Sequence, residues 1–458
     1  MLTDHLKAMG CARALAAIVV IPMTATAELP EELFSEAERY TVRLQTRIEM
    51  ALGDDEAGVF SGTGFVVDAD RGWIVTNKHV VGESPSDVRV SLKDQPYVKA
   101  EKIYVDAFTD IAIIKATIKS EASARLECAD TLGTGHPVGA YGHPWGLEYT
   151  GTQGVISGST DKFGTNLLQT DAPINSGNSG GPLISMRTGR VVGISTASFN
   201  DENAENTNFA VPIKEVCKVI EILAAGRDPS PPAIPIAFYE QKDRNELLVA
   251  RSYLAKNTID IQVGDRIVAV GRESSIVTKR HELINALRGE LDDVRLRIER
   301  AGKEFDIRGS LMPKTIRRGV VFAGMVIAEG DFLDVALLPG GHDIRIHSFV
   351  QGSLGQAEGL KWYDLIVSVN GHSINSIDKL YSVLHESDPS EPTILEFARM
   401  WEPPFFIEYL KREIAAEPPI WLGLEGSASE ANVQNAGEST NDILLLQPLL
   451  KSTSLQSN

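Results

Sequence analysis

Asn175-Ser-Gly-Asn-Ser179-Gly-Gly-Pro-Leu183 is the stretch on which the reading of this chain turns. Glycines on both sides of Ser179 open backbone conformations that other residues resist. Neighbouring N–H groups can then be aimed at one point, the geometry of an oxyanion hole, where each donor lowers a barrier by about 3–4 kcal/mol. A glycine-flanked serine by itself is an ordinary turn. Two upstream segments give it meaning. Thr76-Asn-Lys-His79-Val-Val81 sets a histidine directly after a strand-like run, and Thr109-Asp110-Ile-Ala-Ile-Ile114 sets an aspartate at the entry to an apolar strand. Asp110 would be costly to bury there without hydrogen bonds. Serine is a weak nucleophile that needs a base, and the base needs an orienting carboxylate. The order His, Asp, Ser, with gaps of 31 and 69 residues, is far more specific than its parts.

Working outward, residues 40–212 hold short runs rich in Val, Ile and Thr, among them RYTVRLQTRI, GTGFVV, GWIVT, DIAIIKA and RVVGIST. Turn chemistry separates them, so the spacing predicts an all-β barrel or sandwich. From Ile213 to Ala225 the apolar spacing becomes helical, with Cys217 on the apolar face and Gly226 as a cap. A Pro-rich segment, 226–234, reads as a stiff linker. Two α+β units follow, each with a strand, a tight turn, a helix and a strand. They share the element VGDRIVAVG (263–271) and YDLIVSVNG (363–371), an internal repeat of about 100 residues.

The ends differ from this body. Lys7 and Arg13 flank a short apolar run, 14–23, and Ala25-Thr26-Ala27 offers small residues before Glu28. Residues 1–27 therefore read as an export signal, too short in its apolar part to span a bilayer. From 413 to 458 the composition turns to Ala, Glu, Pro, Ser, Asn and Gly, which predicts a mostly disordered tail. Of the three cysteines, Cys128 and Cys217 would remain after cleavage. Export would allow them to pair, and sequence shows no proximity; two free thiols are the default expectation. The net charge of -18 argues against nucleic acid as a partner. His136 and His143 lack companion thiolates or carboxylates, so no metal and no other cofactor is expected.

The segments TNKHVV, DIAII and GNSGGPL resemble the trypsin-like proteases of the HtrA (Deg) family, as do YGHPWGLEYTGTQGVISG and NFAVP, over residues 58 to 225. The resemblance implies a chymotrypsin-like all-β double barrel, 28–225, followed by two α+β PDZ-like domains, 235–315 and 316–412. It implies an exported serine endopeptidase, most simply periplasmic, that cleaves misfolded or unfolded proteins without ATP. His79 matches the general base, Asp110 its orienter and Ser179 the nucleophile. The N–H groups of Gly177 and Ser179 match the oxyanion-hole positions, with Asn178 between them shaping the loop. Ile174, Ile194, Ser195 and Thr196 are candidate walls of the substrate pocket, and no acid stands where a Lys/Arg-selecting pocket would need one. Two features depart from the family pattern: His143, where members often carry Asn, and the acidic loop 198–208.

In the second PDZ-like unit, Val321-Phe322-Ala323-Gly324-Met325 resembles the Gly-Leu-Gly-Phe-type loop that captures C-terminal peptides by strand addition. Arg317 and Arg318 lie just upstream. The first unit has no clear equivalent and is expected to be degenerate, an interdomain spacer. The family resemblance also implies a homotrimer or larger assembly, with 28–45 (Leu29, Leu33, Phe34, Tyr40) as a contact or as part of the chain's own barrel. Two alternatives stand beside the quality-control protease: a chaperone or scaffold holding unfolded chains, and a regulatory protease with a dedicated substrate.

Overall fold

The computed structural model describes residues 30–49, 51, 55–106, 108–120, 122–129, 132–162, 164–198, 207–232, 234, 236–239, 245–252, 259–272, 274–311, 319–329, 342, 344–349, 353–401 and 406–422. The signal (1–27), Arg317, Arg318, most of the acidic loop and residues 423–458 lie outside the described residues.

A helix, α1 (Pro30–Tyr40), leads into six strands: β1 (Thr41–Ile48), β2 (Gly58–Asp68), β3 (Trp73–Thr76), β4 (Ser86–Ser91), β5 (Val98–Asp106) and β6 (Ile111–Ala116). A one-turn helix, α2 (Lys78–Val81), follows β3. The strands close into an antiparallel barrel in the order β1-β2-β3-β6-β5-β4. A second closed barrel is made of β7 (Pro137–Gly142), β8 (Thr150–Thr160), β9 (Leu167–Thr170), β10 (Pro182–Ser185), β11 (Val191–Ser198) and β12 (Asn208–Pro212), and α3 (Ile213–Ala224) follows it. Closure removes every free strand edge, which is how such short strands persist. Phe65, Ile74, Ile111, Ile113 and Ile114 fill the first barrel with no exposed surface. Leu33, Ala37 and Tyr40 of α1 are buried, and Phe34 stacks on Tyr141 at 5.5 Å. The segment thus packs on its own barrels.

Cys128 and Cys217 form a disulfide with Cα atoms 5.9 Å apart, which corrects the expectation of free thiols. The bond ties the connector after the first barrel to α3. Proximity across 89 residues of chain depends on how the two barrels sit together, and no local pattern reports it.

The first C-terminal unit contains β13 (Ile236–Phe238), β14 (Leu247–Ser252), β15 (Arg266–Val270), β16 (Ser275–Ile276), α4 (Arg280–Ala286), β17 (Val294–Arg300) and β18 (Lys303–Gly309). The second contains β19 (Gly319–Phe322), β20 (Met325–Glu329), β21 (Ile344–Phe349), α5 (Leu354–Ala357), β22 (Leu365–Val369), β23 (His372–Ser373), α6 (Ile377–His385), β24 (Thr393–Trp401), β25 (Phe406–Ile414) and β26 (Ile420–Leu422). Each has its own hydrophobic core. The repeated element has a physical reason. Asp265 is fully buried and receives Arg300 through Nε at 2.7 Å and Nη2 at 2.8 Å. Asp364 receives Arg399 in the same two-pronged way, at 2.8 and 2.7 Å. Each carboxylate also accepts an N–H from three residues earlier, Gln262 or Lys361, at 2.8 Å. A planar fork on a carboxylate fixes both strand and turn.

Two boundaries shift. The ordered body does not end at 412: β25 runs to Ile414, and β26 pairs with β19. Trp421 meets the Tyr381 ring edge-on at 5.2 Å. The Ala/Glu/Pro composition before Ile420 hid a strand whose partner lies about 100 residues upstream. Nor is the Pro-rich linker a free spacer, since Pro229, Pro231 and Pro232 are buried.

Candidate active site

Asp110 sits at the end of the turn between β5 and β6 with φ +54, a left-handed conformation that Asp tolerates better than most residues. Its carbonyl accepts from the Asn77 side chain at 2.8 Å and from Lys78 N–H at 3.3 Å. Its carboxylate faces the His79 ring, with Nδ1 2.9 Å from Oδ2 and 3.1 Å from Oδ1, and accepts the His79 backbone N–H at 3.0 Å. A carboxylate beside Nδ1 demands that this nitrogen carry the proton, which leaves Nε2 with its lone pair. Buried Val80 and Val81 anchor the one-turn helix that holds His79, and 46% of the histidine side chain remains exposed to the cleft.

Ser179 belongs to the loop entering β10. The loop is locked by backbone that only glycine can adopt. Gly177 has φ +101, and a Cβ there would come 2.3 Å from the His143 carbonyl oxygen; at Gly180, φ +87, it would come 2.0 Å from the Thr63 carbonyl oxygen. Asn178 N–H is spent on the Asn175 carbonyl at 2.9 Å, which matches a loop-shaping part. The Gly177 and Ser179 N–H groups donate to no carbonyl among the described residues. The Ser179 hydroxyl donates to the Thr196 carbonyl at 3.0 Å, and the Thr196 hydroxyl donates to Asp110 Oδ2 at 2.5 Å. Thr196, with its carbonyl on Ser179 and its hydroxyl on Asp110, therefore links the serine loop to the Asp110–His79 pair across both barrels.

The sequence reading missed Thr63 and misplaced Thr196. Thr63 of the first barrel stitches down the serine loop of the second. Its N–H donates to the Ser179 carbonyl at 2.9 Å, and its hydroxyl donates to the Gly177 carbonyl at 2.6 Å while accepting His143 N–H at 3.1 Å. A threonine inside a strand-like GTGFVV carries no signal of that duty. Thr196 belongs to the link between serine loop and Asp110 more than to a pocket wall. Ile194 and Ser195 have no accessible surface and so line no open cavity; Ile174 is also buried, at 3%. All three were expected at the pocket. Ile194 packs into the large core shared with the first barrel and Ile174 into the core of the second.

His143 lies beneath the loop, edge-on to the Tyr149 ring at 4.6 Å, with Nδ1 accepting Tyr149 N–H at 3.1 Å. Burial, with nearby Arg43, pushes its imidazole down to about 3. It stays neutral at working pH. His136 contacts the Ser185 hydroxyl at 2.8 Å. No cluster of metal-ligating side chains occurs among the described residues.

The expected peptide loop in the second C-terminal unit is corrected by the sheet. Ala323 and Gly324, with φ +50 and +70, form the tight turn of a hairpin between β19 and β20. Phe322, Ala323 and Met325 are buried. β20 is paired with β19 on one side and β21 on the other, so no backbone edge is open for strand addition there.

Two closed six-stranded antiparallel barrels, with His79, Asp110 and Ser179 joined between them, define a trypsin-like serine peptidase. Known proteins agree. A trypsin-like peptidase domain matches residues 62–194. A probable periplasmic serine endoprotease, DegP-like, of Buchnera aphidicola subsp. Schizaphis graminum is 29% identical over 372 residues, covering 74% of this chain and 73% of that protein. The serine protease Do-like HtrA of Bacillus subtilis is 36% identical over 182 residues, covering 37% of this chain and 40% of that one. The match thus spans less than half of the Bacillus protein. The solved structure of the HtrA-type protease AlgW with a decapeptide shares the fold, with a TM-score of 0.51 at 21% identity over 62% of this chain and 98% of that chain. The chain is a trypsin-like serine endopeptidase similar to the HtrA (Deg) proteases, and its substrates are proteins or peptides.

Proposed function

We propose that this enzyme cleaves misfolded or unfolded proteins in the bacterial cell envelope, with Ser179 as nucleophile, His79 as general base and Asp110 as its orienter. The observation that carries the reading is the link that Thr196 makes between Ser179 and the Asp110–His79 pair. For attack, the Ser179 hydroxyl turns from the Thr196 carbonyl and gives its proton to His79 Nε2. The Oγ–carbon bond forms as the carbonyl electrons move onto oxygen. That oxyanion is received by the Gly177 and Ser179 N–H groups. Collapse expels the amine, which takes the proton from His79, and water then hydrolyses the acyl-enzyme. The sequence offers no acid where a Lys/Arg-selecting pocket would need one, which supports cleavage after small or medium apolar residues.

The disulfide supports an oxidising compartment, and so do the relatives named periplasmic. Export by residues 1–27 and assembly into trimers or larger oligomers belong to the same proposal. The test is digestion of an unfolded protein such as casein by the chain and by Ser179→Ala. Loss of cleavage in the variant is expected; equal turnover by both would sink the assignment.

A further inference from the structure

Arg288, just beyond α4 in the first C-terminal unit, is the largest fully buried side chain among the described residues, with 1% of its surface exposed. A guanidinium is not left in a protein interior without a full set of acceptors. Its Nε donates to the Asn285 side chain at 2.9 Å, within its own unit. Its other nitrogens reach out of that unit. Nη1 donates to the Tyr104 hydroxyl at 2.8 Å and to the Pro229 carbonyl at 3.4 Å. Nη2 donates to the Asp106 carboxylate and, at 3.2 Å, to the Thr109 hydroxyl.

Those acceptors share one location. Tyr104 and Asp106 close β5, and Thr109 directly precedes Asp110. Asp106, itself 1% exposed at its side chain, accepts Phe108 N–H at 2.9 Å and the Thr109 hydroxyl at 2.6 Å. Arg288 and Asp106 together grip the turn whose last residue is Asp110, held in a left-handed conformation. Around this point the unit is fixed by further bonds. Lys218 of α3 donates to the Asn285 carbonyl at 2.6 Å, Gly289 N–H donates to the Ser230 carbonyl at 3.2 Å, and Lys279 pairs with Asp161 at 2.8 Å. Arg288, Tyr104, Asp106 and Thr109 are all buried and meet in one joint behind the catalytic turn.

We propose that Arg288 is a positioning residue for the peptidase reaction: the first C-terminal unit, docked through it, holds the β5–β6 turn so that Asp110 keeps His79 in register. The unit expected to be a degenerate spacer is then a working part of the catalytic centre's support. The inference rests on reading Asp110 as the carboxylate that orients His79. A turn released from Arg288 lets Asp110 drift, and small misplacements of a catalytic group cost up to about a hundredfold in rate. The loss falls on turnover, because Arg288 is buried, at 1% exposure, and is out of reach of a bound peptide.

The experiment compares the full chain with Arg288→Gln, Arg288→Lys and Tyr104→Phe on a short chromogenic peptide, with melting curves recorded for each. For folded Arg288→Gln, kcat falls about ten- to a hundredfold with KM within about twofold of the parent. Arg288→Lys, which keeps the charge and loses the fork, recovers part of that loss. Tyr104→Phe removes one hydrogen bond without opening a cavity or stranding a charge, and lowers kcat about two- to threefold. An unchanged kcat in folded Arg288→Gln overturns the proposal. If that variant does not fold, an unchanged kcat in Tyr104→Phe does so instead. Ser179→Ala, run beside them, separates the two levels. If it is inactive while the Arg288 and Tyr104 variants match the parent, only this inference falls; if it cleaves normally, the reading beneath it falls as well.

Discussion

The two C-terminal units share one repeated sequence element and carry the same internal clamp, Asp265 with Arg300 and Asp364 with Arg399. They differ in what covers them. The end of α4 in the first unit is covered by the protease domain, through Arg288 and Lys218. In the second unit the helix α6 is covered by the chain's own returning strand, with Trp421 against Tyr381. One unit is therefore wired to the active site and the other is closed upon itself. The lesson is that a repeat fixes interior chemistry, while function is decided by the few side chains that leave the interior.

The largest effects should come from breaking the clamps. Asp265→Asn and Asp364→Asn each leave an arginine without its buried partner, at a cost of about 3–5 kcal/mol to the unit concerned. Only Asp265→Asn should carry the loss into peptide turnover. Denaturant melts read beside kcat check this, and an equal loss of kcat in both variants would erase the contrast. On the protease side, Cys128→Ser with Cys217→Ser should cost about 2–4 kcal/mol. Reduction of the parent should reproduce that loss in a melt.

Trp421→Ala should destabilise the second unit by about 1–3 kcal/mol, since the side chain is only half-buried, and leave kcat unchanged. At neutral pH the smallest effect concerns His143, and it grows only on acidification. The unfolded chain takes up a proton at its imidazole near pH 6.5, whereas the fold refuses it until about pH 3. The unfolded state binds more protons in that window, so stability falls as pH drops from about 6.5 towards 3, by at most about 1.4 kcal/mol per unit. His143→Asn should flatten that part of the stability curve measured by urea melts.

Much of the site was legible because nucleophile, base and orienter each require a residue type that few others replace. His79, Asp110 and Ser179 stood in short segments with telling neighbours, and the flanking glycines announced a loop that other residues could not adopt. Strand length and turn spacing made an all-β barrel or sandwich legible, and the family resemblance narrowed it to a double barrel. What escaped was long-range and chemically plain. Thr63 and Thr196 look like any strand threonine until the barrels meet. Cys128 and Cys217 are ordinary small residues until the fold brings them together. Arg288 reads as a charged residue after a helix, with nothing to mark it as buried. Phe322–Met325 resembled a binding loop because a tight hairpin uses the same small residues, and only strand pairing tells them apart.

The central claim is that Ser179 is activated by His79, and the most direct measurement is covalent labelling with a fluorophosphonate, read by peptide mass spectrometry. The account predicts one adduct, on the peptide containing Ser179, absent from Ser179→Ala and strongly slowed in His79→Ala. An adduct on another serine, or labelling of Ser179 that ignores the loss of His79, would contradict it.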